Sequence, residues 1–194
     1  MPRNDRSNAQ GSPRSPESAS GRGVTGPFEP DGRTIELLNL ILKNELTAIN
    51  QYFLHSRLLA NWGVSELSKK EYEESIDEMK HADSLMQRIL FLGGLPNLQY
   101  LDKLLIGENV EDVIDCDLRF ELKAMGDLRQ AIAYAETIKD YGSRMLYESI
   151  LKSEEDHIDY LNTQKRLIAA IGLPDYIQVQ TQANAAYALD PPGD

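Results

Sequence analysis

Two of the three histidines in this sequence follow a glutamate by three residues. They form the pairs Glu78/His81 and Glu154/His157. Residues three apart on a helix share a face, so the carboxylate and the imidazole of each pair can reach the same ion. The third histidine, His55, has no such glutamate, and we expect it at the surface or at an interface.

The pattern occurs twice at the same spacing. Glu45 precedes Glu78 by 33 residues, and Glu121 precedes Glu154 by 33 residues. Burying an unpaired carboxylate costs several kcal/mol, so a glutamate in an apolar helix stripe needs a partner. A salt bridge to a buried cation, or a protonated acid, would explain one such glutamate. The duplicated pattern instead favours ligands that meet at one level of two helical hairpins.

Four carboxylates and two imidazoles form an oxygen-rich set of ligands. Such a set favours a pair of Fe or Mn ions over a lone Zn or Ca ion. Two of the carboxylates can bridge the ions, and each ion then takes one terminal glutamate and one histidine. Two Fe(II) ions held in this way can each give one electron to O2 or peroxide, which produces a ferric pair.

Four apolar stripes predict the helices that position these residues. Only Pro96 and Pro174 lie between Asp31 and Asp190, so proline leaves the intervening stretches open to long helices. The predicted helices span about 34–61, 65–92, 110–139 and 141–171. Their stripes repeat every 3.5 to 3.6 residues. The sequence therefore predicts an all-α fold, a four-helix bundle with its apolar faces turned inward.

The segments between the helices predict the connections. Thr34 is the expected N-cap of the first helix, and Trp62-Gly63 its expected end. About 15 residues around 96–109 are long enough to cross the length of the bundle between the second and third helices. A short fifth helix fits at about 175–184. We assign residues 34–183 to one domain and residues 184–194 to a polar C-terminal tail.

Residues 1–33 have a different composition from the rest of the chain. Proline, glycine and serine occupy 15 of these 33 positions, and large apolar side chains are almost absent. Such a segment buries too little surface to offset its ordering entropy, so we predict a disordered N-terminal extension. It lacks the apolar region of a secretory signal.

Charge and cysteine content narrow the possible partners. The formal net charge of -11 disfavours binding to nucleic acid. No run of 18 apolar residues is present, so we expect no membrane span. The single cysteine, Cys116, excludes an intrachain disulfide and a cysteine-rich metal site, and we expect it to be a buried small residue. We predict a cytoplasmic protein.

Four segments resemble bacterioferritins, the haem-containing members of the ferritin family: NELTAINQYFLHSR, ESIDEMKHAD, RILFLGGLPN and EEDHIDYL. The likeness covers about residues 34–182, and IDEMKHAD with its methionine is typical of bacterioferritins in particular. It implies a ferritin-like bundle with a di-iron ferroxidase centre. In that centre one iron takes Glu45 and His81, the other takes Glu121 and His157, and Glu78 and Glu154 bridge them.

The same resemblance implies an assembly and a second cofactor. Twenty-four subunits, built from two-fold dimers, would form a hollow shell in which Fe(II) is oxidised by O2 or H2O2 and stored as ferric mineral. Met79 falls at the family's haem ligand, so each pair of subunits would hold one haem b between two Met79 thioethers. The haem would carry electrons, supplied by a small ferredoxin, for reduction and release of stored iron. These properties imply a role in iron homeostasis and detoxification.

Three residues near the pattern have open interpretations. Tyr52 lies one heptad after Glu45 and therefore points into the same core. It is either an aromatic core residue with a satisfied hydroxyl or, as the resemblance suggests, a one-electron donor during O2 reduction. Family members often carry a histidine one turn before Asp77, where this chain has Glu73. An inner-surface iron site at Glu73 and Asp77 is therefore left open.

Other functions remain possible from the residues alone. A manganese catalase or a rubrerythrin-like peroxidase could use the same ligands, but the lone cysteine excludes a rubredoxin-type site. A non-catalytic helical interaction protein would have no need for the duplicated pattern. A DNA-coating mini-ferritin is disfavoured by the negative charge. Particle mass would separate a storage shell from a dimeric or tetrameric oxidoreductase.

Overall fold

The computed structural model describes residues 32–181, and these residues form five helices and no strand. The helices are α1 (Gly32–Asn61), α2 (Ser65–Phe91), α3 (Val110–Thr137), α4 (Tyr141–Ile171) and α5 (Leu173–Thr181). The predicted all-α bundle with a short fifth helix is confirmed. The predicted N-terminal extension, apart from its last two residues, and the C-terminal tail lie outside the described residues.

The helix ends follow local side-chain and backbone chemistry. The side chains of Asn109 and Asp140 accept hydrogen bonds from backbone amides in the first turns of α3 and α4. Gly63 follows α1 with a φ of 83°, in the left-handed region that favours glycine. The expected N-cap at Thr34 is wrong, because α1 already begins at Gly32 and Thr34 lies within its first turn.

Two of the three apolar clusters in the described residues lie at opposite ends of the four long helices. The first includes Leu38, Leu42, Leu85, Leu128 and Ile150, and the second includes Leu59, Leu67, Ile114 and Leu161. Each cluster draws residues from all four long helices. Along every one of these helices, the predicted ligands fall between the residues of the two clusters. The carboxylates therefore occupy a polar middle layer that is closed above and below by apolar side chains.

The crossover between α2 and α3 lies along α1, as its length predicts. Backbone amides of the crossover donate hydrogen bonds of 2.7–3.0 Å to side chains of α1. The donor and acceptor residues are Asn97 with Asn39, Asp102 with Thr47, Leu105 with Gln51, and Gly107 with His55. The acceptors span 16 residues of α1, or about 24 Å of helix. A single stripe of polar side chains thus fixes the path of the crossover.

No helix within residues 32–181 combines the length and the apolar character needed to cross a bilayer.

Candidate di-metal centre

Each of the four long helices contributes carboxylate to one buried group. The residues are Glu45 from α1, Glu78 and His81 from α2, Glu121 from α3, and Glu154 and His157 from α4. All are buried except His81, whose side chain is 18% exposed. The structure thus brings all six predicted ligands into the middle layer.

The six residues divide into two overlapping groups of four. One group contains Glu45 and His81, and the other contains Glu121 and His157. Glu78 and Glu154 belong to both. Within each group the possible ligand atoms lie within 4.8 Å of one another. The shared carboxylates are the two residues for which the sequence predicts a bridging role.

Both imidazoles turn Nδ1 toward the carboxylates. His81 Nδ1 lies 2.9 Å from Glu78 Oε2 and 3.2 Å from Glu45 Oε2. His157 Nδ1 lies 2.9 Å from Glu121 Oε1. Because Nδ1 faces the centre in both cases, a metal ion between the carboxylates would meet the same nitrogen of each ring.

The carboxylates of this layer carry more negative charge than the two histidines can offset. Burial, and then repulsion from the Glu121 charge, raise the pKa of Glu45 to about 8. Burial followed by neighbouring carboxylates also raises the pKa of Glu78 and of Glu154 well above the usual range. Divalent cations would offset this repulsion and take these oxygen and nitrogen donors as ligands, so the residues fit a metal pair.

Glu121 and His157 stabilise each other's charged forms. Burial opposes ionisation of both groups, but their hydrogen bond outweighs it. The pKa of Glu121 is therefore held below its usual value, while the pKa of His157 rises to about 10.

Tyr52 is fully buried beside this pair. Its hydroxyl donates a short hydrogen bond to Glu121 Oε1. The ring meets the His157 ring edge-on, with centroids 5.3 Å apart. The hydroxyl thus has a hydrogen-bond partner, as expected for an aromatic core residue. It also lies next to a predicted ligand, as a one-electron donor would.

The expectation for His55 is wrong, because this residue is fully buried. Its Nε2 accepts a 3.0 Å hydrogen bond from the backbone N–H of Gly107. The ring proton must therefore be on Nδ1, which lies 2.9 Å from both carboxylate oxygens of Asp117. Sequence reasoning missed this pair because the crossover, which buries His55, has no periodic pattern.

His55, Glu71 and Asp117 also place possible ligand atoms within 4.8 Å of one another. A metal on His55 Nδ1 would have to replace the proton held there. Nε2 would then need to carry a proton while facing the Gly107 N–H, which would destroy the hydrogen bond. We therefore interpret His55 and Asp117 as a structural pair. Gln51 completes it by donating a 2.7 Å hydrogen bond to Asp117 Oδ1.

Met79 lies outside the bundle core, with 51% of its surface exposed. Tyr72, one heptad earlier on α2, is also exposed and packs against the exposed Phe53 of α1. The guanidinium of Arg57 covers both of these rings, at 4.9 and 5.3 Å from their centroids. Met79 thus faces away from the six predicted ligands and stays accessible to a second molecule.

Glu73 and Asp77 stand on the exposed side of α2 near lysines of the same helix. Glu73 lies 3.9 Å from Lys69 Nζ, and Asp77 lies 2.5 Å from Lys80 Nζ. Ion pairs of this exposed kind stabilise a helix only slightly. Another cation could therefore replace the lysine ammonium groups beside these two carboxylates.

Without bound metal, thermal stability should fall as the pH rises from about 5 to 8. Folding raises the pKa of Glu45 to about 8 and that of His157 to about 10, so the folded chain binds these protons more tightly than the unfolded chain. Their contribution to stability is complete below the unfolded pKa values and is lost as the pH approaches the folded values. Glu121 has the opposite shift, which acts only below this range.

Thermal unfolding of the metal-free protein at pH 5.5 and pH 8 measures this effect. Each kcal/mol lost lowers Tm by about 2–4 °C in a chain of this size. Added Co(II) should reverse the trend, because a metal binds the deprotonated ligands. A Tm that rises with pH in the metal-free protein would contradict the charge distribution described above.

Comparison with known proteins agrees with the sequence resemblance. Residues 35–171 match the profile of the ferritin-like domain. The bacterioferritin of Brucella melitensis is 47% identical over 147 residues, which cover 76% of this chain and 91% of that protein. The bacterioferritin of Rhodobacter capsulatus is 46% identical over 142 residues, which cover 73% and 88% of the two chains. The chain therefore belongs to the ferritin-like family and, within it, to the bacterioferritins.

Proposed function

We propose that this chain is the subunit of an iron-storage protein that oxidises Fe(II) at a di-iron centre within each subunit. The observation that carries the proposal is the pair of four-residue groups that share Glu78 and Glu154. Two overlapping groups of this composition provide separate terminal ligands for two ions and common ligands between them. The bacterioferritin relatives support iron storage as the purpose of that chemistry.

Each part of the site has a physical task in this reaction. Glu45 with His81, and Glu121 with His157, hold the two substrate Fe(II) ions, while Glu78 and Glu154 bridge and fix their separation. The bound pair supplies two electrons to O2 or H2O2. The apolar clusters on both sides limit access of water. Because His81 is the most exposed of the six ligands, we propose that Fe(II) enters beside it.

Tyr52 has a supporting role in this proposal. Its hydroxyl holds Glu121 in place through the hydrogen bond between them. Its ring contacts His157, a ligand of the same ion. A phenol at this place can supply one electron during O2 reduction, which is the role the family resemblance suggests.

We further propose that Met79 binds a haem b shared by two subunits. The exposed thioether fits this role, because Met79 of each subunit would offer a soft sulfur donor at the surface to a haem held between them. The aromatic surface formed by Phe53 and Tyr72 is available next to it. The haem would carry electrons from a small ferredoxin to the stored iron, and thereby release it.

The assembly proposed here is a cytoplasmic shell of 24 subunits built from two-fold dimers. The net charge of -11 suits attraction of Fe(II) and is unsuited to nucleic acid. On the inner side, Glu73 and Asp77 could form a further iron site by releasing their lysine partners.

Light scattering on the purified protein, followed by rapid mixing with Fe(II), tests the proposal. Twenty-four chains of 21.8 kDa have a mass of about half a megadalton. A particle of this mass that forms ferric product rapidly would support storage. A dimer or tetramer that turns over peroxide or an organic substrate would favour the oxidoreductase alternative instead.

Deleting residues 1–30 should leave assembly, thermal stability and the oxidation rate nearly unchanged. The predicted domain begins after this segment, and exposed polar termini generally tolerate truncation. Particle mass, Tm and the rate of ferric product formation should each be compared with the full chain. Dimers in place of shells would show that the N-terminal extension has a structural role.

A further inference from the structure

His157 leaves one ring nitrogen without a hydrogen bond. Its Nδ1 faces Glu121, but Nε2 is buried and has no partner among the described residues. A neutral imidazole that binds a metal through Nδ1 carries its proton on Nε2. That N–H needs an acceptor, and in metal sites the acceptor is commonly a carboxylate, a carbonyl or a water.

His55 and His157 differ in what surrounds Nε2. A backbone N–H points at Nε2 of His55 and forces the proton onto Nδ1. No backbone donor within the described residues points at Nε2 of His157. His157 is therefore free to adopt the tautomer that a metal requires, provided that a nearby acceptor holds it.

Glu71 is a buried acceptor that receives no hydrogen bond from an N–H or O–H group. The residue is fully buried, and no such donor within residues 32–181 reaches either of its carboxylate oxygens. Burial, then the charge of Asp117, and a side-chain hydrogen bond with Asp117 raise the pKa of Glu71 well above its usual range, while the charge of His157 lowers it. A buried carboxyl group that receives no hydrogen bond destabilises the fold. Such a group is therefore expected to find a donor when metal is bound.

Glu71 and His157 lie on the same side of the proposed metal layer. Glu71 precedes Glu78 by two turns of α2, and His157 follows Glu154 by one turn of α4. Both steps lead toward the cluster in which Leu67 of α2 packs with the α4 residues. Charge on either group also shifts the pKa of the other, as expected for neighbours in the core.

The two other carboxylates whose charges raise the pKa of Glu71 already have partners. Glu74 forms an ion pair with Lys70 at the edge of the bundle. Asp117 accepts hydrogen bonds from Gln51 and His55. Among these three carboxylates, Glu71 is the one to which no N–H or O–H group of the described residues donates.

We infer that Glu71 is a positioning residue that accepts the hydrogen bond from His157 Nε2, directly after a side-chain rotation or through one water. It thereby holds the tautomer whose Nδ1 binds the metal. The inference rests on the proposed di-metal function. A carboxylate and a neutral carboxyl group both offer an acceptor oxygen, so the role holds in either protonation state.

Cobalt binding to the metal-free protein tests this inference without any oxidation. Titration with Co(II), followed by calorimetry and visible absorbance, should give two ions per chain in the wild type. Glu71→Leu removes the acceptor and should weaken one of the two sites by about 10- to 100-fold. Glu71→Gln keeps an acceptor oxygen and should restore most of that affinity. The thermal stability of each metal-free variant shows whether it is folded.

The outcomes separate this inference from the function on which it rests. Undiminished binding of both ions by a folded Glu71→Leu variant would overturn it, as would an equal loss in Glu71→Gln. A larger loss in Glu74→Leu than in Glu71→Leu would assign the role to Glu74 and overturn it as well. A wild-type protein that binds no pair of Co(II) ions would instead contradict the di-metal centre itself.

Discussion

Replacing Glu78 with alanine is expected to abolish rapid Fe(II) oxidation. This carboxylate belongs to both groups of possible ligands, so its loss removes a donor from each of the two ions. Removing even an outer partner of a metal ligand costs about 10- to 100-fold, and we expect a loss of at least about 100-fold here. His157→Ala should have a comparable effect through one ion.

Rapid-mixing absorbance of the ferric product measures this loss. Glu155→Ala is a matched control, because it removes a glutamate from the next position of α4, where the side chain is half exposed. The control should oxidise Fe(II) at the wild-type rate. An unchanged fast phase in Glu78→Ala or in His157→Ala would contradict the ligand assignment.

Loss of activity in these variants should not come from unfolding. Burial and the neighbouring carboxylates already raise the pKa of Glu78, so removing this group relieves repulsion in the metal-free protein. We expect the Tm of metal-free Glu78→Ala to equal or exceed that of the wild type.

The bundle and its six predicted ligands could be read from the sequence because helical periodicity is regular. A spacing of 33 residues across a short turn returns the chain to the same level, so Glu45 meets Glu78 and Glu121 meets Glu154. The end of the first helix was predictable because Gly63 marks it, whereas the Asn109 cap of α3 was found only in the structure. The four long helices contain no proline that would interrupt this register.

The polar residues next to the ligands could not be predicted in the same way. Gln51, His55 and Asp117 are residue types that normally face solvent on an amphipathic helix. They are buried here because Gln51 and His55 bind the backbone of the crossover, and Asp117 pairs with both. The path of an irregular segment depends on such tertiary hydrogen bonds, which leave no periodic trace in the sequence.

The environment of Glu71 also could not be predicted from the sequence. Its spacing from Glu78 is one heptad, which in sequence indicates only that the two share a helix face. From the sequence alone, this face of α2 could either pack in the core or face solvent. Only the structure shows that both oxygens of Glu71 are buried, without an N–H or O–H donor among the described residues, on the same side of the metal layer as Nε2 of His157.

Replacing Met79 with leucine is expected to abolish haem binding. Leucine preserves the size and apolar character of this exposed side chain but removes the thioether sulfur. A haem held between two subunits by the Met79 side chain of each would then lose both residues that hold it. Met79→His keeps a donor atom of a different kind, so this variant should bind haem with a changed absorption spectrum, since the axial ligands set the electronic properties of the iron.

Haem content per chain and the Soret spectrum measure both effects, after reconstitution with haem b. Met145→Leu is the matched control, because Met145 is also exposed, at 65% against 51% for Met79, but lies on α4, whereas Phe53 and Tyr72 lie on α1 and α2. Rapid Fe(II) oxidation by the Met79 variants would show that their buried ligands remain in place, because Met79 points away from that layer. If Met79→Leu still binds one haem per pair of subunits with an unaltered spectrum, another residue is the ligand. The exposed methionine would then be only part of an apolar contact between subunits.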